Sequence, residues 1–189
     1  MAMKKQTTKT KNGKPAQPRR VRRNKIPTTL TEYASLAPNE QEKWNRVVHV
    51  IARMRASKTT TLRRAAKEFS VDPRAVVKLG KSGLRKQRNG RYLAKQNDRL
   101  LRALVIPASN GLQEVGVRDS AVASKIARYS DAVQKYLRTG DDSKLKRFRR
   151  TKLKDANGQP IRLMIDIAEL TRLGQAGVLS FESLYAGSR

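Results

Sequence analysis

The sequence contains no cysteine, so it forms no disulfide, offers no thiol nucleophile and builds no Cys-containing zinc site. Its single histidine, His49, excludes any mechanism or metal centre that needs two. Aromatic residues number only nine, and nothing in their arrangement resembles an aromatic RNA-recognition motif. No stretch approaches the roughly 20 apolar residues that a bilayer span requires, and the N-terminus lacks the apolar core of a secretory signal. Acids are also scarce. Against 43 Lys+Arg stand 15 Asp+Glu, a formal charge of +28 and a pI near 11.3. A folded protein with that imbalance repels itself, so its expected partner is a polyanion, nucleic acid ahead of an acidic membrane surface. At 189 residues the chain holds one ordinary domain or two small ones and is too short for a large multidomain enzyme.

The excess charge is unevenly spread. Residues 1–28 carry +10 with no acid, 29–51 carry −1, 52–104 carry +13 and 105–189 carry +6. Residues 1–27 are Lys, Arg, Thr, Gln and Pro with almost nothing apolar, which predicts a disordered basic arm that cannot bury enough surface to offset its ordering entropy. A solubilising tail, or a nuclear-import signal in a eukaryote, has the same composition. The dense cluster Arg19, Arg20, Arg22, Arg23 and Lys25 beside a basic block favours phosphate binding.

Helical periodicity begins near Thr29. Thr29 and Glu32 have capping-box spacing for a short helix that stops near Pro38. A longer helix to about Ala56 follows, with Trp44, Val47, Val48, Ile51 and Met54 on one face and His49 off that stripe, at its rim. Next, Leu62, Ala65, Ala66 and Phe69 give a short helix an apolar side with small residues where another helix crosses. Ser70 and Val71 make a tight turn, Asp72 is an N-cap and Pro73 fits the first position of a second helix. Val76 and Leu79 bury its inner face and leave Arg74, Val77, Lys78 and Lys81 pointing outward.

Over about residues 59–82 this pattern resembles the helix-turn-helix of site-specific recombinases and bacterial transcriptional repressors. The resemblance implies that the second helix enters the major groove, where Arg and Lys donate to guanine O6 and N7. Three-helix units of this kind also serve as protein-interaction modules. The sequence departs from the family at Ser70, where glycine is usual; a serine there is strained if the turn needs positive φ. Arg63 and Arg64 on the first helix join the candidate nucleic-acid-binding set. So do Arg85, Lys86, Arg88 and Arg91 in the following Gly-containing basic stretch, which reads either as a wing that tracks the backbone or as a solvated linker.

The C-terminal half shows two β-prone runs, Leu101 to Ile106 and Leu112 to Val117, joined by a longer loop. A helix from Asp119 to about Arg138 follows, with Val122, Ile126, Tyr129, Val133 and Leu137 on one stripe and Gly140 as its stop. Phe148 to Lys154 and Ile161 to Ile165 form a second hairpin signal around Asp155 to Gly158. Asp166 and Glu169 then start a last helix that ends at Gly174. The predicted fold is mainly α: a helical helix-turn-helix domain over 28–95, then a small α+β (ββαββα) domain over 96–189 with both hairpins in one antiparallel sheet. The cations from Lys144 to Lys154 either extend a nucleic-acid surface or protect an edge strand.

Catalysis has little to stand on. The acid pairs Asp141/Asp142 and Asp166/Glu169 are explained by helix starts, and neither a GxxxxGK[ST] phosphate loop nor a GxSxG motif occurs. No cofactor or metal is expected. The sequence therefore reads as a non-enzymatic protein of the cytoplasm or nucleoid, or the nucleus in a eukaryote, that prefers double-stranded DNA. It would serve as a transcriptional regulator or a mobile-element or recombination accessory. The alternative is a structural RNA-binding protein, ribosomal or ribosome-associated, and the C-terminal domain could instead mediate a homodimer or dock a protein. If phosphate neutralisation dominates binding, six to ten contacts will lower affinity about 10³–10⁵-fold between about 50 and 200 mM salt. A nearly flat salt titration by fluorescence anisotropy would contradict this.

Overall fold

A computed structural model describes residues 26–57, 59–109 and 111–179. Among these residues the protein is mixed α/β with substantial helix, seven α-helices and three small antiparallel sheets. Helix α1 (Leu30–Ala34) starts at Thr29, whose hydroxyl accepts the Glu32 N–H. Glu32 reaches back as the capping spacing requires, but its carboxylate accepts from the Thr28 N–H and hydroxyl, one residue earlier than the box predicts. Helix α2 (Pro38–Ala56) buries Trp44, Val47, Val48, Ile51 and Met54, and also Val50 beside the stripe. Each such side chain contributes about 1.5–3 kcal/mol when fully removed from water. Val50 is buried because α2 is enclosed on more than one side, making it the central helix of the first core.

Helices α3 (Leu62–Glu68) and α4 (Pro73–Leu79) pack on α2, and a 3-10 turn (Lys81–Gly83) leads into strands β1 (Leu84–Lys86) and β2 (Tyr92–Ala94). The chain then enters the hairpin β3 (Arg102–Ala108) and β4 (Gly111–Val117). Pairing runs to Ala108 opposite Gly111, so Pro107 lies within the strand and the connection is tighter than the longer loop the sequence suggested. Helix α5 (Ser120–Thr139) is capped by Asp119 and stopped by Gly140 at φ 73. The rest is α6 (Ser143–Lys146), β5 (Leu153–Lys154), β6 (Pro160–Ile161) and α7 (Ile167–Gln175).

Two expectations are corrected. The hairpins do not share a sheet: β1–β2, β3–β4 and β5–β6 are three separate two-stranded sheets. Nor is Phe148 to Lys154 a strand. Asp141 accepts the Ser143 N–H and opens the single turn α6, and successive turns bond Phe148 N–H to the Leu145 carbonyl and Thr151 N–H to the Phe148 carbonyl. Leu145 and Phe148 stand three apart, a helical spacing that places the buried leucine in the second core and packs Phe148 against it, so only Leu153–Lys154 remains to pair with β6.

There are two apolar cores. The first gathers α1 to α4, Leu84, Leu100, Leu101 and Ala103; the second gathers Ile106, Val115, Val117, α5, Leu145, Leu153, Ile161 and α7. The β3–β4 hairpin supplies residues to both. Tyr129 and Tyr136 serve the second core, their hydroxyls meeting the Met164 carbonyl at 2.7 Å and the Thr171 hydroxyl at 2.6 Å. Beside the first core the Asp98 side chain is fully buried. Both its oxygens accept from Arg102 Nη2, at 2.7 and 2.9 Å, and one also accepts the Leu100 N–H at 3.1 Å. Arg55, from the last turn of α2, reaches the same carboxylate. Burial lowers the Arg102 guanidinium to about 10 against the pull of Asp119, so it stays cationic at neutral pH.

Removing one partner from a buried charge cluster leaves the others uncompensated, which typically costs about 3–5 kcal/mol. Asp98→Ala is expected to lower stability by about that amount in urea unfolding, and Arg102→Ala to be strongly non-additive with it in a double-mutant cycle. A loss below about 1 kcal/mol, the scale of an exposed pair, would show that the cluster is dispensable.

Candidate nucleic-acid interface

The angle of α4 follows from local chemistry at both of its ends. At the start, the Asp72 carboxylate accepts the Arg74 N–H at 2.8 Å and Pro73 occupies the first turn, so the helix begins immediately after the 70–71 turn. At the end, Gly80 lies so close to α2 that a Cβ there would stand 2.4 Å from Ile51 Cδ1 and 2.8 Å from the Val76 carbonyl oxygen. No side chain fits. Between α3 and α4, Ser70 has φ 51, alone among the described non-glycine residues in having positive φ. The turn does need the left-handed conformation that glycine usually supplies, and serine adopts it because the closure is well determined: Val71 N–H donates to the Ala66 carbonyl at 3.0 Å and Ser70 N–H to the Lys67 carbonyl at 3.2 Å. Phe69, just before the turn, stacks on His49 of α2 with ring centroids 5.6 Å apart, so the histidine is a packing residue at the rim.

The basic stretch after α4 is a two-stranded ribbon. Leu84 pairs with Ala94, Arg85 with Leu93 and Lys86 with Tyr92. The turn is closed by Gln87 N–H to the Arg91 carbonyl and Gly90 N–H to the Gln87 carbonyl, with Gly90 at φ 79 and Asn89 Oδ1 accepting the Arg91 N–H. The stretch is therefore a short paired ribbon and not an irregular linker.

Between α3, α4 and the ribbon lies a cleft of about 1130 Å³. Half-buried Leu62, Pro73, Val77, Tyr92 and Leu93 line it, with Thr59, Thr60 and Thr61 at one side. Exposed Arg63, Arg74, Lys78 and Arg91 line it too, so with Val77 five predicted residues from three elements converge on one concavity. Val77, read as pointing outward, is half-buried: it lines the cleft and also packs against the first core. Arg85, Lys86 and Arg88 line a separate shallow recess of the ribbon, and exposed Arg64 and Lys81 line neither. Arg19, Arg20, Arg22, Arg23 and Lys25 lie outside the described residues. Tyr92, Leu93 and the three threonines escaped the sequence reading, since only the strand register brings the ribbon's half-buried side opposite α3 and α4.

The local acids are already engaged. Residues 59–95 contain only Glu68 and Asp72. Glu68 pairs with Arg53 of α2 at 3.1 Å, and Asp72 caps α4. Consequently none of Arg63, Arg64, Arg74, Lys78, Lys81, Arg85, Lys86, Arg88 and Arg91 has an ion-pair partner among the described residues. Their summed field is positive over the cleft and ribbon and suits an anionic ligand with repeated charges. Among the described residues no group of three or more His, Cys, Asp or Glu could hold a metal ion, and no helix is long and apolar enough to cross a membrane. No protein family, curated protein or solved structure matches the chain.

The Ser70 conformation yields a test of how the α3–α4 angle is held. A non-glycine residue in this region costs about 1–2 kcal/mol, while glycine returns about 0.4–1 kcal/mol of freedom to the unfolded chain. Ser70→Gly is therefore expected to stabilise the protein by about 0.5–1 kcal/mol in thermal or urea unfolding; a loss of stability would mean that the serine side chain holds the turn.

Proposed function

We propose that this chain is a non-enzymatic DNA-binding protein in which α3, the turn at Ser70 and α4 act as a helix-turn-helix, with α4 in the major groove. The ribbon β1–β2 is then a wing beside it, and the basic arm lies along phosphates or in the minor groove. The observation that carries this reading is the convergence of unpaired Arg63, Arg74, Lys78 and Arg91 on one cleft while the neighbouring acids are consumed by a cap and an ion pair. Dimensions agree with it. A helix with side chains is about 10–12 Å across and the major groove about 12 Å wide, so a seven-residue helix with a basic outer face can lie in it. Arg74 sits in the first turn of α4, where helix-turn-helix proteins make base-edge contacts, and the resemblance to recombinases and repressors points to transcriptional regulation or accessory work in recombination or mobile-element maintenance, in the cytoplasm or nucleoid.

The test is selection of a preferred site from random duplexes, followed by binding measurements on that site and on random DNA. Arg74→Ala is expected to cost about 1–3 kcal/mol on the selected site and much less on random DNA, whereas replacing an arm arginine weakens both equally. Val76→Asp is the control: Val76 is fully buried, so a charge there unfolds the unit instead of merely weakening binding. Equal losses on both DNAs, or no enriched sequence, would remove α4 as a reader and favour the structural RNA-binding alternative, which crosslinking to cellular RNA would then reveal.

A further inference from the structure

Away from the cleft, residues 143–154 carry seven cations and no acid. This run is a fixed ridge on the second core. Leu145 is fully buried, Leu153 nearly so, and Phe148 meets the buried Tyr129 edge-on with ring centroids 5.6 Å apart. Between these anchors Arg147, Arg149, Arg150 and Lys152 are exposed. The acids nearby are occupied: Asp141 with Lys135 and the Ser143 N–H, Asp142 with Lys146 at 3.0 Å, and Asp155 with the N–H groups of Asn157 and Gln159 in its own turn. Those four exposed cations have no carboxylate partner among the described residues. Protection of a strand edge accounts for little of this charge, because the strand is only Leu153–Lys154.

We propose that this ridge is a second site for nucleic-acid phosphates, so that the protein grips its polyanion at two places, the α4 cleft and the C-terminal unit. The proposal rests on the nucleic-acid reading above. Arginine predominates here, and its planar fork donates two parallel hydrogen bonds to a phosphate. Neither the single turn of α6 nor a two-residue strand can enter a groove and read bases, so the contact is with backbone and is independent of sequence.

The experiment replaces Arg147, Arg149, Arg150 and Lys152 together by Gln in the full chain and measures affinity against salt, on a short duplex that spans only the α4 contact and on a long random duplex. Each lost phosphate contact flattens the slope of log K against log salt by about 0.9, so four give about 3–4. The expected result is that flattening on the long duplex with an unchanged unfolding midpoint. If the ridge holds the same duplex as α4, the short duplex shows no change; if it holds a second, the wild-type chain takes up two short duplexes and the variant one. Either supports the site. Should the quadruple variant lose stability, single Gln substitutions take its place, each expected to flatten the slope by about 0.9. An unchanged slope in the ridge variants, with Arg74→Ala still weakening binding, overturns the ridge and leaves the cleft standing; an acidic protein would then be its candidate partner. Flattening by the ridge variants with no effect of Arg74→Ala and Lys78→Ala keeps the ridge and removes the cleft.

Discussion

The fold turns on one buried carboxylate. Asp98 is held by Arg102 from the start of β3 and by Arg55 from the end of α2, and it can be satisfied only where those two elements meet. Arg55 is further fixed by donating from Nε to the Lys95 carbonyl at 3.1 Å. Burying three charges is not an efficient source of net stability, since apolar residues of similar volume often do as well or better. Its value is geometric: a register error by one residue would leave the buried Arg102 guanidinium and the buried Asp98 carboxylate without each other. Burial, and then repulsion from Arg102, lowers the Arg55 guanidinium.

A second tether lies further along α2, where Trp44 Nε1 donates to the Leu101 carbonyl at 3.0 Å. With Asp98, it clamps the entry of β3 along α2. Helix α2 also carries Ile51, against which Gly80 is closed without space for a Cβ, and Ile51 with Leu100 closes on Gly83 at the root of the ribbon, where a Cβ would stand 3.2 Å from Ile51 and 2.8 Å from Leu100 Cδ1. One helix therefore sets both the pose of α4 and the start of the hairpin that feeds the second core. Helix α4 and the ridge at 143–154 are thus joined through α2, the β3–β4 hairpin and the second core.

What was legible in the sequence was local. Thr29, Asp72, Asp119 and Asp166 announce helix starts through hydrogen bonds that span two or three residues, and each is seen as an N-cap. The α2 stripe was legible because 3.6-residue periodicity survives over nineteen residues. Short elements escaped. Three-residue strands such as β1 and β2 show almost no alternation, and the run after Ser143 hides an i, i+3 pair, Leu145 and Phe148, among cations that mimic a strand pattern. Val77 was read as pointing outward because the helix alone leaves it outside; its packing against the first core is a tertiary contact that the helix pattern does not show. Asp98 carried no signal, since a lone carboxylate in a basic segment looks solvated until Arg55 and Arg102 are known to converge on it.

The scarcity of acids gains its meaning from this arrangement. Glu42 pairs with Arg46, Glu68 with Arg53, Asp141 with Lys135, Asp142 with Lys146 and Glu169 with Arg172, while Asp72, Asp119, Asp155 and Asp166 are spent on helix caps and a turn. Acids so placed stabilise local structure and neutralise cations that lie away from the cleft and, Lys146 apart, away from the ridge. Among the described residues, the cations of the cleft and the ribbon and the exposed ridge residues Arg147, Arg149, Arg150 and Lys152 are left without a carboxylate partner. Like charges brought together in this way repel one another, and a polyanion that bound the folded form would relieve that repulsion and stabilise the fold by RT ln(1 + [L]/Kd). On the proposed reading, binding and folding are coupled through the same charges: the acids hold local structure, and the cations they leave unpaired are the ones a polyanion would neutralise.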